Sequence, residues 1–308
     1  MAFTAQDVAK LREITGAGMM ECKKALIATD GNMEKAGEYL REQGVVTAAK
    51  KQSRIASEGA VGAFVCACGC YGALVEVNCE SDFVAKGEQF QNLVTGLARH
   101  VAEIDPKNVE ECLTQPYVLD KSVTVGDVIN AATAKIGEKI SLRRFARQDN
   151  GLQESYLHMG GKIGVLLEVG TDAASEGVSA LCHDITLHIA AFGPSYVYNQ
   201  EVPAAEVEHE KGILKIQIQN DPKAAGKPAM VIEKMIEGKL GKFYKDVCLI
   251  DQDFAKDSTK TVRAVVAEFN KQYGANIKIN RFVRFVTGEG LEKKNENLAD
   301  EVAKLSGK

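Results

Sequence analysis

The sequence predicts an α+β protein: a small N-terminal three-helix bundle, a duplicated core of antiparallel sheet and helices, an inserted antiparallel helical hairpin, and a C-terminal helix. Three observations support this prediction. An internal repeat runs through the chain, strand and helix periodicities recur within each copy, and only the second copy carries a long insertion. No Gly-rich loop joins a strand to a helix, which disfavours a doubly wound nucleotide-binding sheet.

Residues 1–55 are expected to form the N-terminal bundle and its linker. Apolar residues recur at helical spacings, and the segments TGAGMM and TDGN separate three such runs. Gly44 is expected to end the third helix, because glycine closes helices readily. Met19 and Met20 follow Gly-Ala-Gly, and we expect one of them to pack inside the bundle. An exposed methionine would instead be an adaptable contact for another protein.

The core is predicted to consist of two copies of one unit, residues 56–148 and 149–286. GALVEV at Gly72 returns as GVLLEV at Gly164, 92 positions later. A second pair of similar segments, around Gly137 and Gly274, lies 137 positions apart. Each copy is expected to contain a strand hairpin, a helix, a second helix and a returning strand, since alternation marks strands and spacings of three and four mark helices.

The second copy is longer in one place. Ala190 and Thr261 are 71 residues apart, whereas the matching Ala102 and Thr124 are 22 apart, so the second copy holds 49 additional residues. Two apolar helical stripes flank the breaker NDPKAAGKP within this insertion. They predict a protruding antiparallel helical hairpin, a coiled coil, over about residues 203–243.

The C-terminal module, residues 287–308, is expected to be a charged helix with a narrow apolar stripe. Such a helix docks on its own core or lies along a neighbour. The stripe consists of Leu291, Leu298, Val302 and Leu305.

The first copy is longer where its strand hands over to its helix, in the segment SDFVAK. Ser81 is a preferred N-cap residue, and Asp82 in the first turn offsets the helix dipole. Phe83 lies seven residues before Phe90, so periodicity alone favours its burial in the core stripe. The second copy builds the same join without the aromatic residue or the extra length. The fold therefore does not require this segment, which points to a functional role.

Composition and charge limit the classes of partner. The 308 residues include 42 acidic and 38 basic side chains, and the pI near 5.9 argues against a dedicated nucleic-acid binder. No apolar run is long enough for a membrane-spanning helix, and the first 20 residues do not resemble a signal peptide. We therefore expect a cytoplasmic chain that binds a protein or a small molecule and no membrane.

The eight cysteines are expected to be reduced, buried small hydrophobes. Cys66, Cys68 and Cys70 would share one face of a strand, where their side chains diverge too little to surround a metal ion. Because no CxxC pair or catalytic motif is found, we expect no metal, no cofactor and no catalytic residues. Two alternatives stay open: a thiol or metal protein that uses the cysteines at 66–79, and a scaffold that binds through the N-terminal bundle.

Two stretches resemble signature segments of the bacterial elongation factor Ts family: LREITGAGMMECKKAL, from Leu11 to Leu26, and EVNCESDFVAK, from Glu76 to Lys86. The order of parts along the whole chain is also similar, which implies that the N-terminal bundle is ubiquitin-associated-like. Departures are slight. Ser81 stands where the family usually has threonine, and Glu21 where aspartate is common.

The resemblance implies a guanine-nucleotide exchange factor for elongation factor Tu in translation elongation, and not an enzyme. It would bind the GDP-bound or nucleotide-free partner without direct contact to nucleic acid. The segment implied to disturb the partner's magnesium and phosphate site is Ser81, Asp82, Phe83 and Val84. The further contacts implied are Met19, Met20 and His158. Without the resemblance, His158 would be interpreted as a strand-turn histidine with local hydrogen bonds.

Overall fold

A computed structural model of the chain describes residues 3–15, 17–172, 176–221 and 228–292. The N-terminal bundle contains α1 (Ala5–Thr15), α2 (Met19–Ala28) and α3 (Met33–Lys51). Its helices enclose a small core of Val8, Leu11, Cys22, Ala25, Leu26 and Ala36.

The first core copy has the predicted order of hairpin, helix, helix and returning strand. Its three long strands are β1 (Glu58–Val65), β2 (Gly72–Cys79) and β5 (Ser141–Gln148). They form an antiparallel sheet in the order β1-β2-β5. The other elements are α4 (Asp82–Lys86), α5 (Glu88–Ile104), α6 (Val109–Thr114), β3 (Pro116–Tyr117), β4 (Asp120–Thr124) and α7 (Val125–Ile136).

The second copy repeats this plan and adds the hairpin. Its sheet has the order β10-β7-β6, with β6 (Leu152–His158), β7 (Ile163–Gly170) and β10 (Lys278–Val286). The inserted hairpin is formed by α9 (Ala204–Gln219) and α10 (Ala229–Val247), which pack against each other as predicted. The other elements are α8 (Glu176–Phe192), β8 (Asp253–Phe254), β9 (Asp257–Thr261) and α11 (Val262–Tyr273).

A buried histidine occupies the same place in each copy. Nδ1 of His100 accepts the N–H of Val118 at 3.2 Å, so Nε2 carries the proton and donates to Gln115 Oε1 at 3.1 Å. His188 repeats this arrangement with the N–H of Ala255 and with Gln252. Burial lowers the pKa of both histidines, which keeps them neutral. These side chains therefore serve the fold.

The two sheets pack face to face, and helices cover their outer faces. Val75 and Val77 of β2 face the helices of the first copy, whereas Leu74 faces the other sheet. Alternation along the strand explains this division, because successive side chains point to opposite faces. The core between the sheets consists of Val61, Leu74, Leu166 and Phe285.

A buried carboxylate links the copies beside this core. Glu76 accepts hydrogen bonds from Arg144 Nε at 2.6 Å and Arg143 Nη1 at 2.9 Å, both on the neighbouring strand. It also accepts the backbone N–H of Gly288, just beyond β10, at 2.8 Å. Burial raises the pKa of Glu76, but the N–H of Gly288 and the two guanidinium groups outweigh it and lower the pKa overall.

The bundle docks on the first copy through α3 and α7. The prediction that Gly44 ends the third helix was wrong, because α3 continues through Gly44 to Lys51. Gly44 is buried, and a Cβ atom there would lie 3.8 Å from the backbone oxygen of Asn130 on α7. Packing against α7 thus maintains the helix through a residue that by itself favours its end.

In the turn between β1 and β2, the cysteines differ from expectation in both position and pairing. Cys66, Cys68 and Cys70 lie in this turn, not along one face of a strand. Cys68 and Cys70 are exposed and form a disulfide, so the expectation of reduced, buried cysteines was wrong for this pair. Gly69 adopts a φ of 70°, which allows the chain to reverse here. The other six cysteines are free and buried, as expected.

The predicted C-terminal stripe falls mostly beyond the part of the chain that the structure describes. Leu298, Val302 and Leu305 all lie outside that part. Among the helices that are described, none is both long and apolar enough to cross a membrane.

We predict that Glu76→Gln lowers the free energy of unfolding at neutral pH by about 1–3 kcal/mol, because a buried set of charged hydrogen bonds is weakened. The pKa of Glu76 is lowered from 4.5 on folding, so its stabilisation is present above that value. The stabilisation is lost as the pH falls through the lower folded pKa. Denaturant unfolding at several pH values measures this, with Glu110→Gln, an exposed glutamate of the same copy, as the control. The prediction is contradicted if the difference in free energy of unfolding between wild type and Glu76→Gln stays the same in acid.

Candidate functional site

The candidate site is the segment that joins β2 to α5, residues 80–87, which contains the short helix α4 and which we call the switch turn. Ser81 is the N-cap of α4, as its residue type predicts, and its Oγ accepts the N–H of Val84 at 3.4 Å. Val84 packs on the core of the first copy, and Ala85 is buried. One side of this short helix is therefore anchored in the core.

Glu138 holds the switch turn from outside it. Its Oε2 accepts the N–H of Glu80 at 3.1 Å and that of Ser81 at 3.0 Å, and its Oε1 accepts the hydroxyl of Ser81 at 2.6 Å. A further hydrogen bond joins the same two segments, because Glu80 Oε1 accepts the N–H of Lys139 at 2.7 Å. Hydrogen bonds to a carboxylate are stronger than neutral ones, so this arrangement fixes the backbone just before α4.

Phe83 projects from the switch turn into solvent, with 84% of its surface exposed. The periodicity that favoured its burial was misleading, whereas Phe90 is fully buried as that periodicity predicts. The reason is Gly87, which ends α4 and precedes α5 in an extended conformation (φ −70°, ψ 138°). Two separate helices do not share one stripe, so the spacing of seven loses its meaning.

Asp82 lies beside Phe83 and is also accessible to solvent. Lys86 Nζ donates a hydrogen bond to its carboxylate at 2.7 Å, one helical turn away. This hydrogen bond lowers the pKa of Asp82, and the charges of Lys86 and Lys162 act in the same direction. The switch turn therefore presents a phenyl ring next to an ionised carboxylate at neutral pH.

The second copy differs in the length of this join and in the residue that corresponds to Glu138. Gly137 matches Gly274, so Ala275 stands where the first copy has Glu138. Because β7 ends at Gly170 and α8 already begins at Glu176, the second join is shorter. The sequence reasoning missed Glu138. The repeat offset that revealed the duplication could have found it, because the glutamate and the additional helix occur together.

The N-terminal bundle presents exposed apolar side chains where α1 passes into α2. Ile14 is 69% exposed, Met19 46% and Met20 64%. The expectation that one of these methionines packs inside the bundle was wrong, because Cys22, Ala25 and Leu26 fill the core instead. We call Ile14, Met19 and Met20 the bundle patch.

His158 ends β6 and is half-buried. Its Nδ1 lies 2.9 Å from Tyr156 Oη, so the histidine has the local partner that its residue pattern alone suggested. The β6–β7 turn that follows contains Lys162, whose charge acts on Asp82. Lys162 Nζ also lies 3.7 Å from Glu58 Oε2, and Glu58 pairs with Cys79, the residue that precedes the switch turn, so the β6–β7 turn lies near that segment.

The described parts of the chain give these sites the character of a binding surface. Exposed apolar side chains stand on capped, hydrogen-bonded backbone, the kind of surface that another protein can cover. Among the described residues, the one group of three or more side chains close enough to share a metal ion is the cysteine turn. The molecule therefore combines a duplicated α+β core with exposed apolar side chains on the switch turn and the bundle patch.

Comparison with known proteins identifies the family. The family model described as Elongation factor TS matches residues 80–289, which include the switch turn. The chain is 45% identical to elongation factor Ts of Trichlorobacter lovleyi over 313 residues, covering 100% of this chain and 99% of that protein. It is 44% identical to that of Clostridium botulinum strain Alaska E43, covering 99% of this chain and 100% of that protein. The chain belongs to the elongation factor Ts family, and its role is in translation elongation.

We predict that Glu138→Ala loosens the switch turn without unfolding the core. Loss of the carboxylate leaves the N–H groups of Glu80 and Ser81 without their partner, at a cost of about 1–2 kcal/mol. Amide exchange at these two residues should therefore become roughly 10-fold faster or more. Hydrogen exchange followed by NMR measures this, with Glu110→Ala as the control. Unaltered exchange at both amides would show that Glu138 does not hold the turn.

Proposed function

We propose that this chain is a guanine-nucleotide exchange factor for elongation factor Tu in the cytoplasm, and that it acts by binding and not by covalent chemistry. Membership of the elongation factor Ts family supports the choice of elongation factor Tu as the partner. The observation that carries the mechanism is the exposure of Phe83, at 84%, on a backbone that hydrogen bonds hold in place.

Exchange requires differential affinity for two states of the partner. A factor accelerates GDP release only if it stabilises the nucleotide-free partner more than the loaded one, and nucleotide then weakens factor binding by the same ratio. In a loaded GTPase, magnesium and the phosphate-binding loop hold the diphosphate. We propose that Phe83 inserts between side chains beside that site, and that Asp82 accompanies it. The magnesium coordination of the partner is disturbed as a result.

The switch turn suits this task because its shape exists before the partner arrives. A ring on a mobile loop would lose conformational entropy on binding, which reduces affinity. Ser81 caps α4 and Glu138 holds the preceding backbone, so little of that cost applies to Phe83. Val84, the fourth residue of the proposed contact segment, supports the turn by packing on the core.

Phe83 alone does not supply the required free energy. An acceleration on the order of 10⁴ needs about 5 kcal/mol, whereas burial of one phenylalanine gives roughly 1.5–3 kcal/mol. We propose that the bundle patch supplies a second contact through Met19 and Met20, whose flexible side chains adapt to a partner surface. His158, which ends a strand near the switch turn, is the third proposed contact.

We predict that Phe83→Ala slows the stimulated release of GDP roughly 10- to 100-fold, which corresponds to the loss of one buried ring. Stopped-flow release of a fluorescent GDP analogue from elongation factor Tu measures the rate. Since Phe83 contributes little to the core, the melting temperature should stay unchanged.

Tyr273→Ala is the matched control, because this aromatic residue is 62% exposed on α11 of the second copy. This variant should stimulate GDP release from elongation factor Tu at the wild-type rate. Full stimulation by Phe83→Ala would refute the insertion mechanism, whereas wild-type protein that stimulates no release would refute the proposed function.

We predict that the double substitution Met19→Ser and Met20→Ser raises the Kd for nucleotide-free elongation factor Tu roughly 10-fold, because two apolar contacts are lost. Isothermal titration calorimetry measures the affinity. Met230→Ser is the control, since this methionine is 70% exposed on α10, away from the bundle. Equal affinity of the double variant and wild type would remove the bundle patch from the interface.

A further inference from the structure

The turn between β1 and β2 gathers three sulfur atoms. Cys66 Sγ lies 3.1 Å from Cys68 Sγ and 3.4 Å from Cys70 Sγ. All three atoms lie within 4.8 Å of one another. Cys66 is buried at the base of the turn, and Cys68 and Cys70 are exposed above it, so solvent reaches the group from one side. None of these three cysteines belongs to the switch turn or to the bundle patch.

The backbone of the turn aims two N–H groups at the sulfur atom at its base. Cys66 Sγ accepts the N–H of Cys70 at 3.1 Å and that of Tyr71 at 3.2 Å. Hydrogen bonds of this kind fix the orientation of a metal-binding side chain. The turn is also fixed on the second copy, because the carbonyl of Gly69 accepts the N–H of Gln153 at 2.7 Å.

From the sequence alone, a metal site was rejected because the cysteines were placed on one strand, and the observed turn removes this reason. Three cysteines along one face of a strand could not surround an ion, but a tight turn directs all three sulfur atoms to one point. We propose that reduced Cys66, Cys68 and Cys70 form a three-thiolate site for a soft monovalent cation of the Cu(I) class.

The geometry and number of the ligands argue for this class of ion. Three sulfur atoms at about 2.3 Å from an ion in their plane stand roughly 4 Å apart, a spacing that this turn reaches with small side-chain movements. Thiolates select soft ions such as Cu(I) and Zn(II). Structural zinc takes four protein ligands, and within the described residues this turn supplies three. A three-coordinate soft ion matches that number.

The Cys68–Cys70 disulfide is the metal-free, oxidised form of the same site. A low-molecular-weight thiol reduces it: two thiol molecules give two electrons and two protons, become a disulfide, and leave Cys68 and Cys70 as thiols. Binding of Cu(I) then displaces the protons of the coordinating thiols. Metal uptake therefore requires prior reduction of the protein.

The test is an anaerobic titration of the full-length chain with Cu(I) in competition with the chromophoric chelator bicinchoninate. Protein reduced by a phosphine and freed of it should take up one Cu(I) per chain, with only sulfur neighbours by X-ray absorption. Oxidised protein should take up at least about 100-fold less under the same competition, because two of its three ligands are unavailable.

The matched variants separate this site from the other thiols. Cys68→Ser with Cys70→Ser keeps all the buried cysteines and should bind Cu(I) at least about 100-fold more weakly, since losing two ligands costs more than losing a hydrogen bond to a ligand. Ala67→Ser is the control, because it alters an exposed residue of the same turn and keeps its three sulfur atoms. It should bind as wild type does.

Three outcomes would overturn the proposal: no uptake of Cu(I) by reduced wild type, undiminished uptake by the double variant, or uptake of Zn(II) in preference to Cu(I). The site lies at the opposite end of β2 from the switch turn, at about 23 Å for eight residues of strand. Metal loading should therefore leave nucleotide release unaltered, and the two proposals can fail separately.

Discussion

The carboxylate of Glu138 is the interaction on which the switch turn depends. It accepts two backbone N–H groups and one hydroxyl at a point where the chain leaves a sheet and has not yet begun a helix. Without such an acceptor, these donors would need water or another partner, and the turn would sample other shapes. The exposed phenyl ring of Phe83 is held two residues further on. The core does not hold the side chain of Phe83, but the hydrogen-bonded backbone before it fixes the direction in which it projects.

The duplication explains how such a segment is tolerated. His100 and His188 occupy the same place in the two copies, and each copy has its own core between sheet and helices, so the scaffold is specified twice. Glu76 then joins the copies through Gly288. Because the second copy makes its join without an equivalent of Glu138, the longer join of the first copy is not a requirement of the repeated unit. Val84 and Ala85 hold one side of α4 on the core, whereas its other side carries the exposed ring of Phe83.

Much of the fold followed from the sequence, because repetition and periodicity report directly on buried faces. Three of the errors arise at glycines, whose backbone conformation the sequence alone does not determine. Gly87 separates two helices and so exposes Phe83, while Gly69 turns the chain and gathers the cysteines. At Gly44 the prediction of a helix end was wrong, because packing on α7 keeps this glycine helical. Glycine permits each of these conformations, and only tertiary contacts select among them. The position of Glu138, distant in sequence from Ser81, depends on such contacts as well.

The sizes of the contacts constrain how the parts act together. In the proposed mechanism, one phenyl ring falls short of the free energy that rapid exchange needs, so the switch turn and the bundle patch would have to contact the partner at the same time. Two contacts add only if the body between them is stiff, because a flexible connection allows each to form without straining the partner. The packing of α3 on α7 provides that stiffness, and Lys139 Nζ strengthens it by donating to the backbone oxygens of Gln52 at 2.6 Å and Arg54 at 3.0 Å. Lys139 directly follows Glu138, so the residues that fix the switch turn and those that fix the bundle are neighbours in the chain.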